Sequence, residues 1–162
     1  HDHDFVHLPG GFNARISNLH AQCILDHSNG LSHYEKNKRA RLELCKAYDE
    51  KLPVRYQMPA RDANWVYDIL LSPGNTYKQQ LELVKRLNED SIDARCGFKP
   101  LYIQPEYHGL QLTTPCRASN LASRIMYLPG VLPNWLDPNA VEEFADDTIS
   151  QLLIHMSNLK IT

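Results

Sequence analysis

The sequence predicts an α+β domain: a small, mostly antiparallel sheet packed with helices and preceded by two N-terminal helices. Three observations predict it. Residues 17–52 read as two helical runs broken at Ser28-Asn29-Gly30; two short β-rich runs, 65–71 and 124–128, flank a further helical stretch; and the chain closes on an amphipathic helix after Asp137-Pro138. That order suggests helices laid against one small sheet.

Each element has a local cause. Ser17 is a credible N-cap, its hydroxyl accepting from the first free N–H groups of a helix that runs to about residue 27, with Leu19, Cys23 and Ile24 as its inner face. A second helix over 31–52 places Leu31, Tyr34, Leu42, Cys45 and Tyr48 on one side. Its other side carries Glu35, Lys36, Lys38, Arg39, Arg41 and Glu43, a solvated charge run. Pro53 and Pro59 bracket an irregular segment. The aromatic and β-branched content of 65–71 reads as a strand, turned by Ser72-Pro73-Gly74-Asn75. From 76 to about 89, apolar groups at Tyr77, Leu81, Val84 and Leu87 follow a helical period. Residues 92–107 read as short strands and a loop, and 124–128 as a strand stopped by Pro129-Gly130. Asp137 can cap free N–H groups while Pro138 loses nothing at the first helical position. Glu142 and Glu143 suit the positive end of that helix, and Val141, Phe144, Thr148, Leu152 and Met156 form its buried stripe. The whole of 1–162 is expected to be one domain, with a loop and helical segment over 1–52 and an α+β segment over 53–162.

Composition narrows the function. The 162 residues are 43% hydrophobic, enough for a substantial core. Seventeen basic and 19 acidic residues give a formal charge of −2 and are mixed along the chain, so no basic stripe exists for a nucleic acid backbone. The cysteines at 23, 45, 96 and 116 form no CxxC pair and read as buried or half-buried thiols of a reducing cytoplasm. No apolar run approaches the ~20 residues needed to span a bilayer, and no signal-peptide pattern occurs, so a soluble, cytoplasmic chain without a membrane partner is expected. Beginning at His1, it is expected to be the remainder of a longer polypeptide. His1, Asp2, His3, Asp4 and His7 are metal-ligand types, but at a fraying terminus without supporting partners, so no metal is expected.

Two polar groups stand out. In the stretch GGFNARISNLHAQ, two glycines precede Asn13 and Arg15 at a loop-to-helix junction. Asn13 is a turn residue and Arg15 a surface charge, or the pair is delivered there to bind something. Arg95, Phe98, Tyr102 and Tyr107 lie along a proline-bounded loop, either as satellite core with a surface arginine or as a binding set. Trp65, Tyr67, Tyr127 and Trp135 read as core and turn-packing groups, not as stacking platforms.

Five stretches, in this order, resemble one family. GGFNARISNLHAQ is similar to G-(Y/F)-N-x-R-(M/L)-(S/T)-x-L-x-A. KNKRARLELCKAYDEKL looks like an Arg-rich helix ending in tyrosine and leucine, and WVYDILL with its following helix looks like the next strand and helix. SIDARCGFKPLYIQPEY resembles G-I-x-x-R-x-x-F-x-P-(M/L)-(H/Y)-x-Q-P-x-(Y/F), and RIMYLPGVLPNWLDPNAVEEFADDTI resembles the closing strand, LP turn and last helix. The family is the DegT/DnrJ/EryC1/StrS aminotransferases, pyridoxal-phosphate enzymes that mostly aminate nucleotide-linked keto-sugars. The resemblance covers nearly the whole chain and implies the C-terminal domain of a fold-type I aminotransferase.

It also implies a division of labour. In the family, a large N-terminal domain holds the Schiff-base lysine, the acidic partner of the pyridine nitrogen and most of the phosphate cradle. None of the eight lysines here stands in the family's Ser-rich turn; Ser32 and Lys36 come nearest, with a spacing of four where the family has five. The resemblance thus implies no catalytic residue in this chain and no covalently held pyridoxal phosphate. It implies that Asn13 contacts the cofactor phosphate of a homodimer partner and that Arg15 reaches the same site, where a guanidinium can clamp the carboxylate of an amino donor. Arg95 would bind diphosphate or a sugar hydroxyl, with Phe98 and Tyr102 on the nucleotide-sugar side. Tyr102 stands where many members carry histidine and cannot become cationic near neutral pH. Ser91 replaces the usual helix-closing glycine; a left-handed serine there costs roughly 1–2 kcal/mol. The expected function is the C-terminal domain of a sugar aminotransferase, with a 4-keto preference suggested by the Q-P-x-Y stretch. The alternative is a non-catalytic binding or assembly module derived from the family.

Overall fold

The computed structural model describes residues 15–27, 31–59, 65–107, 117–133, 136–137 and 139–161, of which 27 and 31–33 only by their backbone. The elements are α1 (Asn18–His27), α2 (Leu31–Lys51), β1 (Tyr67–Leu70), α3 (Tyr77–Glu89), β2 (Arg95–Cys96), α4 (Arg117–Ala122), β3 (Ile125–Leu128) and α5 (Val141–Asn158). Short 3-10 turns occupy Val54–Tyr56, Leu101–Ile103 and Pro105–Tyr107.

The sheet has the order β1-β3-β2 and both pairings are antiparallel, as the sequence predicts. β3 is the central strand, and side chains along it alternate between faces. Met126 and Leu128 are buried in the core, opposite Ile69 and Tyr67 of β1. α2 packs on α5, and α3 packs on α5 and β2. Leu44, Tyr48, Leu83, Leu87, Ile149, Leu152 and Met156 from these helices join Ile69, Met126 and Leu128 in one hydrophobic cluster. Buried polar contacts fix the sheet against its cover. Gln80, fully buried on α3, donates from Nε2 to the Ile125 carbonyl at 2.6 Å, and Arg124 Nε donates to the Leu71 carbonyl at 2.7 Å. Lys51 at the end of α2 reaches Glu142 at 3.1 Å and Asp146 at 3.0 Å on α5.

Several sequence expectations need correction. Ser17 does cap α1, its Oγ accepting from the His20 N–H at 3.4 Å. The inner face expected for that helix does not form: Leu19 is 73% exposed, and Ile24 and Cys23 are exposed too. Five residues separate Leu19 from Ile24, which puts them about 140° apart around the helix. Tyr34 is exposed because the core begins at Leu44, while α2 is about 30 Å long and outruns it. On α3 the buried face is Gln80, Leu83 and Leu87, and Leu81 is exposed. Asp137 does not cap the last helix. Its carboxylate accepts from the Asn139 N–H at 2.8 Å, making a tight turn, and α5 starts at Val141 after Ala140, which supplies no side-chain cap. The stripe Phe144, Thr148, Leu152 and Met156 is buried as expected. α4 carries no sequence expectation.

Ser91 has a φ of 65°. It closes α3 with the Ile92 N–H donating to the Leu87 carbonyl at 2.9 Å and its own N–H to the Asn88 carbonyl at 3.1 Å, the paired bonds of a Schellman motif. Ile92 and Leu87 supply the buried apolar contact that accompanies it. Lys160, with φ 55°, closes α5 in the same way. A side chain bearing Cβ is strained there and glycine is not. Replacing Ser91 by glycine is expected to raise unfolding free energy by about 1 kcal/mol in urea titrations; a lower midpoint would contradict the strain argument.

Candidate functional site

The face of the sheet opposite the core gathers the polar and aromatic side chains. Because Met126 and Leu128 point inward, Tyr127 points outward, and the register sets Asp68 of β1 and Arg95 of β2 beside it. Phe98, just beyond β2, meets Tyr127 edge-on with ring centroids 5.9 Å apart. Trp65, just before β1, stacks on Phe98 at 6.1 Å and an interplanar angle of 21°. It also tilts against Tyr127 at 6.4 Å. Trp65 is 61% exposed and Phe98 51%, so Trp65 is a surface ring and not the core group its sequence context suggests.

Arg41 and Gly130 set the position of Trp65. Arg41 Nη1 donates to the Trp65 carbonyl at 2.5 Å, which binds the start of β1 to α2. A Cβ on Gly130 would stand 2.5 Å from that carbonyl oxygen and 3.0 Å from the Val66 Cα, so only glycine permits the approach. Beside this junction opens a cleft of about 470 Å³ between Arg41, Trp65, Arg95, Tyr127 and the turn over 129–133. Asp93 and Ser91 also line it. Arg95 is held by Asp93, Nε to Oδ1 at 3.2 Å and Nη2 to Oδ2 at 3.0 Å.

The sequence-predicted residues separate. Arg95 and Phe98 join one cluster through Tyr127. Tyr102 instead hydrogen-bonds the Ser119 hydroxyl of α4, and Tyr107 sits exposed in a 3-10 turn. Arg15 is exposed just before α1, and Asn13, Trp135 and the His1–Asp4 stretch lie outside the described residues. Sequence reasoning missed Arg41, Asp93, Trp65 and Tyr127 as members of the cleft. The two-residue spacing of Asp93 and Arg95 is a signal for a local ion pair; Arg41 is hidden within a solvated charge run. Among the described residues no group of three or more His, Cys, Asp or Glu side chains could hold a metal ion, and no helix is long and apolar enough to cross a membrane.

Proton affinities are displaced behind β1, inside the core. Burial pushes the Cys45 thiol up to about 11, with the Asp49 charge adding to the rise. Burial also raises the phenols of Tyr48 and Tyr67, whose rings lie 4.9 Å apart. Tyr67 further donates to Asp49 Oδ1 at 2.6 Å, which holds its proton in place. These groups stay neutral near pH 7 and offer no acid–base pair to the cleft.

Comparison with known proteins agrees with this fold. Residues 1–143 match the profile of the DegT/DnrJ/EryC1/StrS aminotransferase family. Among solved structures, Helicobacter pylori PseC, an aminotransferase involved in the biosynthesis of pseudoaminic acid, is similar at 20% identity and a TM-score of 0.60. The match covers 80% of this chain and 36% of that one. Spr1654 from Streptococcus pneumoniae, assigned as a sugar aminotransferase and solved in its PMP form, is similar at 16% identity and a TM-score of 0.59, over 77% of this chain and 33% of that one. The aminotransferase TlmJ from Streptoalloteichus hindustanus is similar at 16% identity and a TM-score of 0.56, over 76% of this chain and 32% of that one. The chain thus spans about a third of the length of the structures it matches. No curated protein matches it significantly.

The displaced thiol and phenols predict an alkaline limit. Their protonated forms are favoured when folded, so the stability they contribute is complete below about pH 9, the ordinary thiol value, and is lost as pH rises through about 11. Denaturant midpoints should fall above pH 9. Cys45→Ala should shrink that fall by on the order of 2 kcal/mol. A midpoint unchanged to pH 11 would contradict the burial of these groups.

Proposed function

The chain belongs to the DegT/DnrJ/EryC1/StrS aminotransferase family, and on that premise we propose that it is the C-terminal domain of a pyridoxal-phosphate-dependent aminotransferase acting on a nucleotide-linked keto-sugar. The observation that carries this reading is the family match over residues 1–143, in a chain whose match spans about a third of the length of its structural relatives. Its partners are a large N-terminal aminotransferase domain and a second subunit, in the cytoplasm, and the ketone is at the 4-position. When bound, pyridoxal phosphate supplies an electron sink for transferring nitrogen from an amino donor to the sugar.

The work of this chain is binding and orientation. Asn13 contacts the cofactor phosphate, and Arg15, exposed just before α1, fixes the donor carboxylate through two parallel hydrogen bonds. Arg95, its plane set by Asp93, offers N–H donors to the diphosphate or a sugar hydroxyl, and Phe98 packs the substrate beside it. Tyr102 is oriented by Ser119 and can donate or accept one hydrogen bond.

The lysines support placing the reactive amine elsewhere. An activated lysine needs its pKa lowered by burial or a cationic neighbour. Lys51 has the opposite environment: the hydrogen bonds it donates to Asp146 and Glu142 raise its pKa and keep it charged. Lys36, Lys38, Lys46, Lys78, Lys85 and Lys160 are exposed, and Lys99 lies over the Tyr77 ring at 5.1 Å.

In the dimer that contains the large domain, Arg15→Ala should lower kcat/KM for the amino donor by about tenfold or more, the loss of charge-assisted hydrogen bonds. The steady-state constants for the keto-sugar should change far less. Wild-type donor kinetics in that variant would remove Arg15 from the site.

A further inference from the structure

The turn that closes α3 is strained for no reason internal to the fold. Ser91 has a φ of 65°, and the bonds that close the helix there use backbone groups alone, so glycine would close it equally well and without strain. The Ser91 side chain adds nothing to the packing. The residue is exposed, and among the described residues its hydroxyl makes no hydrogen bond. The family pattern has glycine at this position, so the hydroxyl is a feature of this chain.

Position gives that hydroxyl a use. Ser91 lines the cleft of about 470 Å³ together with Arg41, Asp93, Arg95 and Tyr127, whereas Lys160, left-handed at φ 55° at the end of α5, is not part of it. Strain alone therefore does not single out Ser91; strain at a cleft wall does. The charged groups beside it are two guanidiniums and the Asp93 carboxylate that pairs with Arg95. A guanidinium only donates and suits an anion, while a serine hydroxyl both donates and accepts and suits another hydroxyl.

We propose that Ser91 is a specificity-determining residue for the sugar of the substrate: its Oγ exchanges a hydrogen bond with a sugar hydroxyl in this cleft, and the left-handed turn is what presents it. The inference rests on the proposed nucleotide-linked keto-sugar and deepens it, by assigning one contact to the sugar that the glycine of the family pattern cannot make. It ties binding to strain, so relieving the turn with glycine improves stability and impairs recognition together.

The test is steady-state kinetics of the dimer that contains the large domain, with uridine- and thymidine-diphosphate-linked 4-keto hexoses as substrates and the free nucleoside diphosphates as competitive inhibitors. Ser91→Ala removes Oγ and keeps the strain; Ser91→Gly removes both. Each should raise KM for the keto-sugar about three- to tenfold, the loss of one neutral hydrogen bond, while kcat, the donor KM and inhibition by the free diphosphates change far less. Ser91→Asn, a polar side chain that tolerates the left-handed region, should recover most of the sugar affinity. Urea midpoints should rise in Ser91→Gly even as its KM worsens, and Lys160→Gly should raise the midpoint with kinetics like wild type. Wild-type sugar KM in Ser91→Ala and Ser91→Gly, or an equal loss of affinity for the free diphosphates, would overturn the assignment and leave the aminotransferase reading standing. A wild-type dimer that turns over no nucleotide-linked keto-sugar would overturn the proposed function and this inference with it.

Discussion

The register of β3 between its two neighbours is the constraint on which the rest depends. Three short strands make few ladder bonds, and a shift of one residue would exchange every inward side chain for an outward one. In the observed pairing Met126 and Leu128 enter the core, and Tyr127 emerges between Asp68 and Arg95. The buried Gln80 resists slippage by bonding the Ile125 carbonyl, and the Arg124–Leu71 contacts pin the same end of the β1–β3 ladder, just beyond the Leu70–Ile125 pair. Stability and the candidate site are therefore set by the same alignment.

That alignment explains how a small domain acquires an outward polar and aromatic surface. Helices α2, α3 and α5 supply the apolar cover that the inward side chains need. The outward side chains are then free to be chosen for binding. Trp65 and Phe98 flank strands instead of sitting within them, so their exposure costs the core nothing. Gly130 belongs to the same economy: its missing side chain lets the exit of β3 lie against the entry of β1, which brings Arg41 and Trp65 to one edge.

Much of this was legible in the sequence, and what was not has specific causes. Periodicity located α2, α3 and α5, because each buries a face against the core, and aromatic and β-branched content located β1. Sequence reading failed at α1, whose Leu19 and Ile24 match no single face, and at Asp137, whose carboxylate closes its own turn four residues before the helix. Gln80 carries no sequence expectation, yet it is fully buried and bonds a strand distant in sequence. Ser91 shows the reverse case: the family pattern pointed to a left-handed position, and the backbone has φ 65° there. At the site, Arg95 and Phe98 were found by motif. Trp65 and Arg41 were not, because their meeting depends on tertiary approach and no local pattern encodes it.

The central claim is that this chain contributes binding groups to a catalytic centre whose reactive amine lies in another domain. Incubating the 162-residue chain with pyridoxal phosphate, reducing with borohydride and mapping the labelled peptides by mass tests it directly. The account predicts scattered, substoichiometric labelling of exposed lysines with no preferred site. Stoichiometric labelling of one lysine within these residues would contradict it.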